Sequence, residues 1–148
     1  MDCLGCKLAN KIESANVIFE DDWVTCLLDY DPYEEGHTLI LPKQHYRYLD
    51  EFNRETAESL HRATTLVSKA IRNLYDPDGI TLCQNGGEVD DLTHFHLHVV
   101  PRDKLQSFQP FFVENKEENR PSQQDLSTTR DKLVSEIQLL LDHHPQHN

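Results

Sequence analysis

No stretch of this chain approaches the roughly twenty consecutive apolar residues that a membrane-spanning helix needs. Basic residues are also scarce: 14 Lys and Arg stand against 26 Asp and Glu, for a net charge of −12. Nucleic acids and anionic membrane surfaces both demand a basic footprint, so general binding to either is excluded. A small anionic ligand is not, because the field inside a pocket can differ in sign from the net charge. Glycine is sparse, at five residues, and no glycine-rich phosphate loop occurs, so P-loop and Rossmann chemistries are unsupported. Met1-Asp2-Cys3 lacks the basic and apolar regions of a signal peptide, which makes a cytoplasmic location the default expectation. There the four cysteines, at 3, 6, 26 and 83, are poor candidates for disulfides. No internal repeat is present.

A chain of 148 residues suits one domain. Leu4, Leu8 and Ile12 suggest a short N-terminal helix or turn. Val17–Glu20, Trp23–Leu28, Thr38–Leu41 and Gly79–Cys83 read as strands bounded by turn residues. Between Asn53 and Tyr75 the period lengthens to three and four, through Leu60, Thr64, Val67, Ile71 and Leu74. That marks the main helix, with Asn53 able to cap it and Asp76-Pro77 to end it. Short turns with one inserted helix indicate an α+β fold with an antiparallel sheet. The expected organisation is a domain over residues 1–113, an exposed linker over 114–124, a C-terminal helix over 125–142 and a polar tail over 143–148. Phe108, Phe111 and Phe112 form an aromatic cluster that packs on a partner, over the site, or on its own core.

Chemistry concentrates in Thr93-His94-Phe95-His96-Leu97-His98-Val99-Val100-Pro101-Arg102. Histidines alternate with apolar residues, as in a half-buried fifth strand, with His94, His96 and His98 on one face and Phe95, Leu97 and Val99 on the other. Three adjacent cationic imidazoles would repel, which favours at least one neutral ring able to act as nucleophile, base or metal ligand. Cys3-Leu4-Gly5-Cys6 offers half of a zinc site or a redox dithiol. With no second such pair, remaining zinc ligands would have to be histidines. Cys26 and Cys83 lie in apolar runs and read as buried, inert thiols.

The histidine stretch resembles the signature of the histidine-triad (HIT) family of nucleotide hydrolases and transferases. Gly36-His37-Thr38-Leu39-Ile40-Leu41-Pro42-Lys43-Gln44-His45 is similar to that family's earlier Gly-His…Pro-Lys-x-His segment, and Asn85-Gly86 precedes the triad as expected. The likeness spans residues 3–102 and implies a five-stranded antiparallel sheet with one long helix. It implies that His96 is a nucleophile, that His98 contacts the phosphate and assists the leaving group, and that His37 belongs to the cluster behind the nucleophile. Asp29 would bind the ribose and Asn85 would add a polar contact to phosphate or sugar.

The branch carrying an N-terminal Cys-x-x-Cys implies a structural zinc held by Cys3, Cys6, His45 and His94. The alternative leaves the cysteines as reduced thiols and His94 in the catalytic cluster. The resemblance further implies a purine nucleotide as ligand, a homodimer, and cleavage of a phosphoramidate or dinucleoside polyphosphate without a catalytic metal. Other readings are a domain that binds nucleotides with little turnover, and a catalytic metal site on His37, His96 and His98.

The sequence departs from the pattern just before the triad. Where the family has Gly-Gln-Ser/Thr and an apolar residue, this chain has Val89-Asp90-Asp91-Leu92, in a shorter loop. Ionised carboxylates cannot donate to phosphate and repel it. They are expected to disfavour highly charged substrates, unless both side chains turn to solvent.

Overall fold

The computed structural model describes residues 2–106 and 120–143. Five strands, β1 (Val17–Glu20), β2 (Val24–Leu28), β3 (Thr38–Pro42), β4 (Gly79–Cys83) and β5 (Leu97–Arg102), form one sheet in the order β1-β2-β3-β5-β4. Every neighbouring pair is antiparallel. Among the described residues three α-helices accompany it: α1 (Leu4–Ala9), α2 (Arg54–Tyr75) and α3 (Gln123–His143). The chain is α+β, as its periodicities require.

Strand β2 is buried at all five positions, because both faces of the sheet are covered. Val24, Cys26 and Leu28 join the main core with Val67, Ala70 and Ile71 of α2 and Leu126, Leu133 and Ile137 of α3. On the opposite face Leu27 packs with Ala9 and Leu41, and the Thr25 hydroxyl donates to the Ala9 carbonyl. A strand covered on both sides loses the polar half of its alternation, which is why residues 23–28 read as a continuous apolar run.

Helix α2 begins where expected: the Asn53 side chain accepts from the Thr56 N–H at 2.8 Å. It ends at Asp76, whose φ of 43° stops the helical path. Helix α3 starts two residues ahead of the expected linker boundary and takes in His143, so 123–124 and His143 belong to the helix. Phe108, Phe111 and Phe112, with residues 114–119 of the expected linker and 144–148 of the tail, lie outside the described residues.

The strand expected across the histidines needs correcting. The β3–β5 pairing covers only Thr38 with Val99, Leu39 with His98 and Ile40 with Leu97. Upstream, Thr93 takes a φ of 54°, and the Phe95 N–H leaves the ladder to bond the Tyr46 carbonyl at 2.7 Å. Phe95, Leu97 and Val99 still face the main core together. Sidedness survives, while strand pairing stops short of His94 and His96.

Candidate active site and metal cluster

Because His94 and His96 precede the regular strand, the triad divides between two clusters. His94 lies with Cys3, Cys6 and His45, and their ligand atoms all fall within 4.8 Å of one another. His94 Nδ1 is 3.6 Å from Cys3 Sγ and 3.5 Å from Cys6 Sγ, and His45 Nδ1 is 3.4 Å from Cys6 Sγ. A tetrahedral zinc with Zn–S of about 2.3 Å and Zn–N of about 2.0–2.1 Å separates sulfur from nitrogen by about 3.5–3.6 Å. The donor set fits that ion.

The surroundings fit as well. His94 Nε2 donates to the Pro42 carbonyl at 2.8 Å, which leaves the lone pair on Nδ1, turned to the sulfurs. Cys3 caps α1 by accepting the Cys6 N–H at 3.4 Å. Burial, and then the neighbouring Cys3, push the Cys6 thiol up to about 11 when no cation is present. A metal reverses that preference by coordinating the thiolate. Gly5 lies so close that an added Cβ would fall 2.3 Å from His94 Cβ. Helix α1 can therefore deliver both cysteines only with glycine between them. Of the two readings of the cysteine pair, the geometry groups His94 with sulfur rather than with the other histidines. Cys26 and Cys83 stand apart, and burial raises both thiols above their ordinary value.

His37, His96 and His98 make the second cluster. His37 lies just before β3 and is buried, while His98 sits on β5, paired with Leu39. His37 Nε2 and His98 Nδ1 are 2.9 Å apart, and the His96 and His98 ring centroids are 4.9 Å apart. Backbone partners fix the neutral tautomers. The Tyr33 N–H donates to His37 Nδ1 at 3.0 Å, so the His37 hydrogen is on Nε2 and points to His98 Nδ1. His98 then keeps its own hydrogen on Nε2. His96 Nδ1 donates to the His94 carbonyl at 2.9 Å, which leaves a lone pair on His96 Nε2. One ring offers an electron pair and its neighbour a proton.

Asp29 follows β2, with its Oδ2 3.7 Å from His37 Nε2 and its Oδ1 accepting from the Asp31 N–H at 2.9 Å. Beside Asp29 and His37 opens a cleft of about 400 Å³, walled by Pro32, Tyr33 and the α3 residues Leu126 and Thr129. It does not reach His96 or His98. Asn85 is exposed in the loop two residues past Cys83, the strand partner of His98.

Across the described residues, a HIT domain is matched over residues 10–105. The chain belongs to the HIT family. An adenylylsulfatase of Arabidopsis thaliana is 33% identical over 103 residues, 68% of this chain and 52% of that protein. An adenosine 5′-monophosphoramidase of Schizosaccharomyces pombe is 27% identical over 104 residues, 69% and 75% of the two chains. The crystal structure of a Zn-bound histidine triad family protein from Mycobacterium smegmatis superposes with a TM-score of 0.76 at 27% identity, covering 97% of this chain and 98% of that one. Among the described residues no helix is long and apolar enough to cross a membrane.

Sequence reasoning missed the position of Asp90. Its side chain is completely buried, with Oδ1 3.5 Å from His96 Nδ1, whereas Asp91 is exposed. Asp90 thus neither turns to solvent nor joins Asp91 in a shared acidic loop surface. The departure from the family pattern carried the signal, but a side chain's direction in an irregular loop has no periodicity to reveal it.

Proposed function

We propose that the chain is a nucleotide hydrolase or transferase that works through a nucleotidyl-histidine intermediate on His96. The observation that carries this reading is the lone pair left on His96 Nε2 by the bond from Nδ1 to the His94 carbonyl. Nε2 attacks the phosphorus of the nucleotide, and the bond to the leaving group breaks with its electron pair on that group. His98, holding its hydrogen on Nε2, gives the leaving group a proton. Water then attacks phosphorus and gives a proton back to His98 Nε2, the N–P pair returns to His96, and a nucleoside monophosphate is released. His37 orients His98 through the 2.9 Å contact. Asp29 takes the ribose hydroxyls, which a carboxylate accepts well, and Asn85 adds a polar contact near phosphate or sugar. Nothing in these steps asks for a metal at the reacting atoms.

The substrate class is a purine nucleoside phosphoramidate or a dinucleoside polyphosphate, and the named activity of the fission-yeast relative favours the first. Adenosine 5′-phosphoramidate mixed with the protein and quenched on the millisecond scale should show one adenylyl group, mapped to His96 by peptide mass spectrometry. An adduct on another residue would overturn the assignment. The alternative of binding with little turnover predicts no adduct in the same experiment; of the two carboxylates that motivated it, Asp91 is exposed and Asp90 lies against His96. A metal reading on His37, His96 and His98 keeps two of its three ligands: His37 and His98 place ligand atoms within 4.8 Å of one another together with Asp29, and His96 is not in that group. Under that reading a chelator abolishes chemistry before the fold loosens.

Zinc, on this proposal, is held by Cys3, Cys6, His45 and His94, and cross-links α1 to the sheet without an open position for substrate.

The protein is further proposed to be a cytoplasmic homodimer. Strand β4 is an end strand of the sheet, and Leu82 on it is 51% exposed. An open edge with an exposed leucine invites pairing with a second copy. Light scattering at micromolar concentration should give twice the monomer mass, and Leu82→Lys should shift it to the monomer. A monomeric wild-type protein contradicts the proposal.

A further inference from the structure

We propose that Asp90 is a positioning residue for His96, whose carboxylate balances the positive charge that the ring acquires when it is nucleotidylated. The inference rests on the His96 reading above and adds to it a residue that the family's motif does not supply.

Three observations carry it. Asp90 is buried, with its side chain wholly out of contact with solvent. Its Oδ1 accepts the Leu92 N–H at 2.8 Å and lies 3.5 Å from His96 Nδ1. Its Oδ2, also buried, has no hydrogen-bond partner among the described residues. A carboxylate held away from water with one oxygen unsatisfied is a standing cost. The chain has placed that cost against the ring proposed as nucleophile.

The chemistry explains the placement. His96 keeps its Nδ1 hydrogen on the His94 carbonyl throughout. When Nε2 bonds to phosphorus the imidazole therefore becomes a cation. A carbonyl supplies a dipole for that cation, and a carboxylate supplies a full opposite charge in a site with little water to screen it. At 3.5 Å the Asp90 contact is long for a hydrogen bond, so its effect is chiefly charge. Tautomer control is already secured by the His94 carbonyl, which can only accept. The two partners of Nδ1 thus have separable duties.

The consequence has an unusual sign pattern. A charge that stabilises the cationic adduct lowers the barrier to its formation. The same charge slows its hydrolysis, because the ring loses its positive charge as the N–P bond breaks. Removing the charge while keeping the shape should therefore move the two rates in opposite directions. A residue that only holds the loop in place moves them together.

Asp90→Asn provides that change, since its Oδ1 can still accept from Leu92. With adenosine 5′-phosphoramidate and rapid-quench intact-mass detection, adenylylation should slow about tenfold, as loss of one charged partner implies. Decay of the isolated adduct should become faster, and AMP affinity by calorimetry should stay unchanged. If both rates fall together, or neither changes, Asp90 has no such role. If wild type forms no adduct on His96, the functional reading fails first, and this inference with it. Should Asp90→Asn not fold, Asp90→Gln, which restores the family's own residue type in this stretch, is judged by the same two rates.

Discussion

His96→Ala is expected to lower the turnover of adenosine 5′-phosphoramidate by at least about a thousandfold, the scale seen when a covalent nucleophile is deleted. The loss should fall on kcat, because on the proposed mechanism the ring supplies the attacking electron pair rather than the binding energy of base and ribose. Binding of AMP should change little, since Asp29 and the cleft beside it lie on another part of the site. Stability should fall only modestly. His96 is 8% exposed and stands against Asp90 and His98, outside the apolar cluster that Phe95 joins. Removing the ring leaves the Asp90 carboxylate without its neighbouring partner, which is the main source of that cost. Steady-state kinetics, calorimetry and a melting curve on the same preparation separate these effects. Retention of more than a tenth of wild-type kcat would show that another group attacks phosphorus.

Removal of zinc is expected to act on the fold and only through it on chemistry. The four residues proposed as ligands join the start of α1 to the segment after β3 and to the triad segment, connecting Cys3 and His94 across 91 positions of sequence. A metal bound only in the folded state, at a free concentration a hundredfold above its Kd, adds about 2.7 kcal/mol of stability. For a chain of this size that corresponds to a fall in Tm of about 5–10 °C on stripping. Cys3→Ser/Cys6→Ser should reproduce the loss without a chelator. Gly5→Ala should lower zinc affinity although it touches no ligand atom, because its Cβ would collide with His94. Elemental analysis that finds no zinc in protein purified without chelators would remove the claim. So would an unchanged Tm in the double serine variant.

Much of the fold was legible in the residues. Helix α2 announced itself through a strong three-four period, an asparagine cap and an Asp-Pro stop, all local signals that tertiary contacts had no reason to override. The first four strands were found within a residue or so at each end, since β-branched runs between turn residues are also local, whereas the fifth begins only at Leu97, past His94 and His96. Helix α3 began earlier than its apolar stripe suggested. Ser122 and Asp125 cap one another there, with the Asp125 N–H donating to Ser122 Oγ and the Ser122 N–H to Asp125 Oδ2. Such a reciprocal cap starts a helix before any apolar residue is needed.

The sequence alone determined the inventory of reactive groups: three histidines alternating with core residues, an earlier histidine pair at 37 and 45, and two cysteines three apart. It also determined the sidedness of the triad, because Phe95, Leu97 and Val99 must all be buried together. Tertiary structure decided how that inventory is shared out. The positive φ at Thr93 and the bond from Phe95 to Tyr46 pull the chain off the ladder before His96. That turn sends His94 to sulfur and leaves His96 beside His98, and Asp90 lies buried against His96. Pairings between residues 39 to 91 positions apart depend on the whole sheet having closed, and no local pattern encodes them.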